Sequence, residues 1–494
     1  VNDPAQVEAR EGVRSSAVVF VVSAAAAVVA TTVTLTAFSH DYDEGVYLQS
    51  LLALDAGHSI YSSVFSSQPP LFLYSMLPLF HLDGPSVVAA RVSLVLFALV
   101  GLVAVWRLGR RAGPSSGLLA PALMLSVGPF VLSTDRLAAT TPSVAMSVVG
   151  VVLAGTAARR SGRARLALAT SAGLVLAVAI MIKLLGVVAV VPAVLFLVLP
   201  PTAWPDIESG TDDRDAAPSW NWRSSLSATI ALAAGTIGGV VAVGAIFWSH
   251  GDLYQQVVSF HLQVRGVRAG LLFNLKNLTF AALTIPVFLA ALLATGIVVW
   301  RRLRSATIYL AWLVTAGVFL LLQHPLFSPH KLVLVPAAAL MVAGLPAWLA
   351  RSGAPEQVGR WCRLAVSAVV LVGLIGLTYD TVTATRSPGR TTTLMIDAIR
   401  ANVPTSTLVV TDDQVVVAAA GRRVPPSLVD TSNVRFEAGS LTADELIRVT
   451  DAEAGAVLLT GGRFDHVPEF TAWVEQHMDR VATFPDGAAL YVKR

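Results

Sequence analysis

The sequence predicts an α-helical polytopic membrane protein of about eleven spans over residues 1–380, followed by a small α/β domain over residues 381–494. Three observations carry that prediction. Of the 494 residues 55% are hydrophobic and 13% charged, with a mean hydropathy of +0.68, whereas a soluble domain carries about a quarter charged residues. Apolar runs approaching the ~20 residues that cross a bilayer recur up to Tyr379. Beyond Tyr379 the hydropathy collapses, and short β-rich runs alternate with helical patterns.

The net charge of +4 asks for no nucleic-acid partner; in a membrane chain the placement of charges matters more than their sum. Cys362 is the sole cysteine, which excludes an intrachain disulfide and a cysteine-rich metal site. Four lysines stand against 31 arginines, a composition that suggests a GC-rich bacterial genome.

The first apolar run, 17–38, is longer than a signal-peptide core and lacks a clean cleavage site, so it reads as a retained span. His40-Asp41-Tyr42-Asp43-Glu44-Gly45 follows at once. Its three carboxylates sit at a membrane mouth, where charge is a functional candidate because lipid does not solvate it. The bland alternative is a helix-capping loop, because Asp43 and Glu44 immediately precede a helix. Residues 46–56 read as a short interfacial helix. The run 71–80 is too short to span and reads as a second surface helix, opened by Pro69-Pro70 and capped by Ser66 or Ser67.

Ten further spans are predicted at 86–108, 117–134, 138–158, 166–182, 184–199, 226–248, 278–300, 307–323, 332–349 and 364–379. Arginine groups at 107–111, 159–165, 301–304 and 351–363 all fall on one side if the N-terminus is cytoplasmic. The acidic cluster and the C-terminal domain then face outward. Residues 200–223, rich in Asp, Ser and Pro, read as a disordered connector. Arg136, Lys183, Arg265, Arg268, Lys276 and Lys331 break the positive-inside pattern, and with His261, His324 and His330 they gather at the outer face. Each alone reads as a snorkelling side chain. Together, beside carboxylates, they suit a phosphate-bearing ligand. In the C-terminal part, 391–402 and 468–478 are helix-like, and 407–411, 456–460 and 489–492 are strand-like. Thr442 opens a capping box, and Asp412-Asp413 reads as the cap of the next helix.

Four features carry a family resemblance: Asp43-Glu44 after the first span, Gln68-Pro69-Pro70-Leu71 opening a surface helix, Asp135-Arg136 in the next outer loop, and Lys183 after an Ala/Gly-rich helix. Phe260-His261 and His324-Pro325-Leu326-Phe327 add to it. Over residues 15–380 the chain resembles the GT-C superfamily of polyprenyl-phosphate-dependent glycosyltransferases, and within it the protein O-mannosyltransferases and lipid A aminoarabinose transferases. The resemblance implies a GT-C fold and a bacterial inner-membrane enzyme. It implies transfer of a sugar, with inversion, from a polyprenyl-phosphate donor to a hydroxyl of a glycan, lipid or protein acceptor. It maps the catalytic base onto Asp43, with Glu44 as its neighbour in the motif. It draws the donor phosphate to Lys183, Arg265, Arg268 and Lys331. Asp41, Gln68, Asp135, Arg136, His261 and His330 complete the expected substrate-binding set. Some members use a divalent ion, so magnesium or manganese stays open as a cofactor. Ser66-Ser67-Gln68 departs from the family, whose members often carry a charged residue before the proline; Glu44 or Asp41 would have to substitute. The rival reading is a transporter or lipid flippase, which would show broken helices and internal repeats; no two-fold repeat is visible in the sequence.

Overall fold

Helix α1 (Pro4–Thr34) ends where the polar loop begins, and two surface helices follow, α2 (Tyr42–Asp55) and α3 (Leu71–Leu82). The structure, a computed structural model, describes residues 4–494 except 40, 83, 135, 206–220, 249–250, 265–269 and 324–325. His40, Asp135, Arg265, Arg268, His324 and most of the expected connector 200–223 therefore lie outside the described residues. The apolar body continues as α4 (Val87–Ala112), α5 (Pro114–Leu125), α6 (Gly128–Leu132), α7 (Thr140–Ala157), α8 (Gly162–Ile182), α9 (Val190–Val198), α10 (Trp222–Trp248), α11 (Phe260–Val264), α12 (Leu271–Thr284), α13 (Pro286–Trp300), α14 (Thr307–Leu322), α15 (Val335–Arg351) and α16 (Glu356–Ala384).

The eleven expected apolar runs are all present, but not all as single long helices. Among the described residues eight helices are long and apolar enough to cross a membrane, or nine if α12 and α13, bent by 97°, form one broken span. All eleven apolar runs are helical, but hydropathy reads apolar length and not continuity. The run 117–134 breaks between α5 and α6, where Pro129 enters the first turn of α6 without an N–H to give the preceding helix. The run 184–199 is a 3-10 turn, Leu184–Ala189, leading into the nine residues of α9. Pro286 places the bend between α12 and α13. Inside the body, α8 and α10 approach backbone to backbone. A Cβ on Gly235 would press on Thr170 O, and one on Gly173 on Leu232 O; small residues let membrane helices pack this closely. Helix α15 is enclosed along most of its length.

The C-terminal part opens with α17 (Arg390–Asn402), then β1 (Leu408–Thr411), α18 (Gln414–Ala419), α19 (Asn433–Glu437), α20 (Ala443–Glu453), β2 (Ala454–Leu459), α21 (Pro468–His477), β3 (Met478–Thr483) and β4 (Ala489–Lys493). The sheet order is β1-β2-β4-β3, with β1 parallel to β2 and the other two pairings antiparallel. Strand β3 is absent from the sequence-based expectation, because Met478–Thr483 is largely exposed and has no apolar alternation to show itself. Thr442 accepts from Glu445 N at 3.3 Å and Asp413 caps α18 by accepting from Val416 N at 3.4 Å, as the sequence indicates. Alternation along the strands gives the sheet two apolar faces. Val409 and Leu458 pack on Ile396, Ile399 and Val417, while Val410 and Val457 pack on Leu446, Phe464 and Phe470. Ala53 of α2 and Val64 belong to the first of these clusters, so the segment between α1 and α3 is built into the core of the C-terminal domain.

Candidate active site

Asp41 and Tyr42 start α2. The Asp41 carboxylate accepts from Asp43 N at 2.9 Å, capping the helix and fixing the backbone that carries Asp43. The helix begins four residues earlier than the expected 46, which puts Asp43 and Glu44 in its first turn on different faces. Asp43 faces a cavity of about 620 Å³ that also gathers Asp41, Gln68, Arg136, Lys183, His261, His330 and Lys331. Eight of the twelve residues expected at the site thus converge from loops spread over almost 300 positions. Asp135, Arg265 and Arg268 lie outside the described residues.

Glu44 is the exception, and its expected catalytic place is corrected. Its carboxylate is buried and bonded to Arg91 of α4 through both oxygens, at 2.8 and 3.0 Å. Arg91 also donates to the carbonyls of Thr34, Leu35 and Ala37, groups that the end of α1 leaves without an intrahelical partner. Glu44 therefore locks α2 to α1 and α4 and does not reach the cavity. Ser66 is corrected likewise. Its hydroxyl donates to Gln68 O at 3.1 Å and accepts from Gln68 N at 3.3 Å, closing the turn ahead of the prolines instead of capping α3.

Electrostatics single out Asp43. It is open to a water-sized probe because it faces the cavity, yet protein fills most of the wider shell around it. That burial, with Asp41 nearby, raises its pKa to about 6, and Lys183 pulls in the opposite direction. Lys183 stands in the break after α8, its Nζ donating to Thr140 Oγ1 at 3.0 Å. Burial lowers its pKa to about 8, and Asp43 offsets part of that loss. His261 follows a π-helical stretch, Gln255–Ser259, a feature common at functional sites. Its Nδ1 lies 2.8 Å from Val257 O, and burial lowers its pKa, so the ring is neutral at pH 7. The buried Nδ1 of His330 and Oε1 of Gln323 have no hydrogen-bond partner among the described residues. Both residues line the cavity, and buried polar atoms of this kind are ordinarily satisfied. Phe280, Thr284, Ile285 and Phe288, at the bend between α12 and α13, give the same cavity an apolar flank.

Some residues in and around the cavity escape sequence reasoning. Tyr42 is pinned by the C-terminal domain: its hydroxyl donates to Asp430 Oδ1 at 3.2 Å and accepts from Thr431 N at 2.8 Å, with the Arg463 guanidinium 3.5 Å over its ring. Gln256 ties the 61–66 turn to the π-helical stretch, accepting from Ser66 N at 2.9 Å and donating to Tyr61 O at 2.7 Å. Asp380 and Asp430 line the cavity too. Asp380 was visible as an acid closing the last apolar run; nothing local marked Asp430. Among the described residues no group of three or more His, Cys, Asp or Glu is placed to hold a metal ion. A second concavity, of about 420 Å³, lies among Arg107, Arg110, Arg111 and Arg159 beside Thr156, whereas Thr140 at the other end of α7 lines the first. It has no carboxylate in its lining to act as a base.

Comparison with known proteins bears on the fold. Residues 67–209 match the family model of dolichyl-phosphate-mannose-protein mannosyltransferase. No curated protein matches the sequence. The fold is similar to that of ArnT from Cupriavidus metallidurans bound to undecaprenyl phosphate, at 14% identity and a TM-score of 0.65, covering 95% of this chain and 97% of that one. It is similar to the archaeal oligosaccharyltransferase AglB from Archaeoglobus fulgidus, in complex with an inhibitory peptide and a dolichol-phosphate, at 13% identity and a TM-score of 0.51, covering 96% and 74% of the two chains. The arabinofuranosyltransferase AftD from Mycobacteria aligns at 15% identity and a TM-score of 0.50, over 95% of this chain and 40% of the longer one. This multi-pass membrane chain has the fold of the GT-C glycosyltransferases, and its residues 67–209 match the mannosyltransferase family model.

Proposed function

We propose that the protein is an integral membrane glycosyltransferase that moves a sugar from a polyprenyl-phosphate donor to an acceptor hydroxyl. The observation that carries this reading is the convergence of Asp43 with Lys183, His261, His330 and Lys331 on one cavity that has an apolar flank. Lipid phosphates bound in two structures of this fold support it, as does the mannosyltransferase match. The fold gives the transporter alternative no support.

The chemistry follows from the charges. The acceptor oxygen attacks the anomeric carbon as the bond from that carbon to the phosphate oxygen breaks. Asp43 takes the hydroxyl proton; with a pKa of about 6 it is mostly ionised at pH 7 and basic enough to accept it. The departing phosphate keeps the bonding electrons and gains charge, which Lys183 and Lys331 stabilise. One displacement inverts the anomeric configuration. The prenyl chain runs along Phe280, Ile285 and Phe288. We place the protein in a bacterial inner membrane, N-terminus cytoplasmic and C-terminal domain outside, because the arginine groups lie at the helix ends opposite the cavity.

The test is purified protein in nanodiscs with a radiolabelled polyprenyl-phosphate sugar and candidate hydroxyl acceptors. Label is expected to move to an acceptor or to water, and Asp43→Asn to stop it. Label that stays on the lipid in every mixture, or crosses the bilayer unreleased, overturns the transferase reading.

A further inference from the structure

Part of the cavity wall belongs to the C-terminal domain and carries a carboxylate that the transfer step does not use. Asp430 lies just before α19 and is 9% exposed. Its Oδ1 accepts from Ser432 N at 2.8 Å and from the Tyr42 hydroxyl at 3.2 Å. Arg435 holds the turn by donating to the Asp430 carbonyl at 2.6 Å. Oδ2 has no hydrogen-bond partner among the described residues, and both Asp430 and Ser432 line the cavity. A buried carboxylate fixed through one oxygen and free at the other is a preformed acceptor for a ligand O–H. Opening on the cavity, that oxygen is placed to take a ligand hydroxyl in exchange for water.

The surroundings restrict that partner. Asp41, Asp43 and Asp430 are near enough for each to act on the half-buried Tyr47, so three carboxylates share this end of the cavity. The nearby cations are already engaged. Arg136 lies 3.9 Å from Asp41, while Arg463 covers Tyr42 and donates to Asp412 O at 2.8 Å. Arg435, Arg463 and Lys183 offset part of that charge, but an anionic group entering here would still face three carboxylates at once. In the proposed mechanism Lys183 and Lys331 serve the phosphate.

We propose that Asp430 and Ser432 form a binding site for the hydroxyls of an uncharged carbohydrate, which the C-terminal domain presents to Asp43 as the acceptor. The acceptor role rests on the transferase reading; the binding of a neutral glycan does not. Asp430 is a specificity-determining residue on this view, and the C-terminal domain selects a neutral glycan over a phosphorylated one.

The experiment measures binding of short neutral methyl oligosaccharides (manno-, galacto- and arabino-configured) and of their monophosphorylated counterparts. Saturation-transfer NMR on the full chain in nanodiscs is the readout, with undecaprenyl phosphate titrated on the same samples. At least one neutral glycoside is expected to bind, and its phosphorylated form more weakly. Asp430→Asn keeps an oxygen for Ser432 and Tyr42 and should weaken the glycoside about tenfold, the loss of one charge-assisted hydrogen bond. Undecaprenyl phosphate affinity should not change. Ser432→Ala, which leaves the Asp430 turn intact, is the second variant and should weaken the same ligand. Failure of every neutral glycoside to bind, equal binding of phosphorylated forms, or wild-type binding by both variants overturns the site. If wild type binds the glycoside but not undecaprenyl phosphate, the donor reading falls and the Asp430 site stands.

Discussion

Asp43 and Lys183 act on each other electrostatically, and in the proposed mechanism their protonation sets the working pH. Burial raises the Asp43 pKa to about 6 and lowers that of Lys183 to about 8. On that mechanism the base is lost to protonation below about 6 and the phosphate-binding cation is lost above about 8. A pH–rate profile of transfer should therefore rise through about 6 and fall through about 8. Lys183→Met removes a charge that lowers the Asp43 pKa, so its acidic limb should move to higher pH; an unmoved limb would show that the two do not interact. Asp43→Asn should cut transfer by ~10²-fold or more while undecaprenyl phosphate binding persists in equilibrium titration. Lys183→Ala and Lys331→Ala should each weaken that binding by about one to two decades, the ~1.5–3 kcal/mol of a charge-assisted hydrogen bond. Wild-type binding by both would make them ordinary interfacial lysines.

Helix α2 matters more than its 14 residues suggest, because it is clamped on two sides. Glu44 and Arg91 tie it to α1 and α4. Gln49 ties it to the C-terminal domain, donating to Arg422 O at 3.1 Å and accepting from Val424 N at 3.2 Å. Gly45 lets α18 close in, for a Cβ there would stand 2.6 Å from Val415 N. Arg91→Met should cost about 3–5 kcal/mol of stability by leaving a buried carboxylate unpaired. Adding Glu44→Gln should recover part of that loss, as read by thermal unfolding in nanodiscs. Gly45→Ala should cost about 1–3 kcal/mol by overpacking. Its mark would be faster proteolysis of the C-terminal domain with helical content unchanged; wild-type protease resistance would mean that the contact carries no weight.

The molecule as a whole is polarised. The cavity and the C-terminal domain lie at one end of the helices and an arginine-rich concavity at the other. Alternation of loop charge anticipated that division, because each crossing moves the chain to the other side. A tag after Arg494 should accordingly be labelled from outside the cell, and one within 206–220 only after permeabilisation. Labelling of both from the same side would remove a span from the count and overturn the catalytic model with it.

Composition and hydropathy were enough for the membrane class, the two short helices after the first apolar run and the α/β character of the C-terminal part, because burial in lipid and strand alternation leave periodic marks on a chain. The carboxylates and cations of the outer loops were legible too, since a charge beside an apolar run has few reasons to be there. Their division of labour was not. Asp43 and Glu44 are adjacent and chemically alike, and only the 100° turn of a helix sends one to the cavity and the other to Arg91. The break between α5 and α6 depends on where the chain stops being continuous, which summed hydropathy does not register. Asp430 stands 387 positions after Asp43 in an unremarkable Asp-Thr-Ser loop. It reaches the cavity because Tyr42, Gln49 and Gly45 dock the C-terminal domain onto α2, a long-range contact that no local pattern encodes.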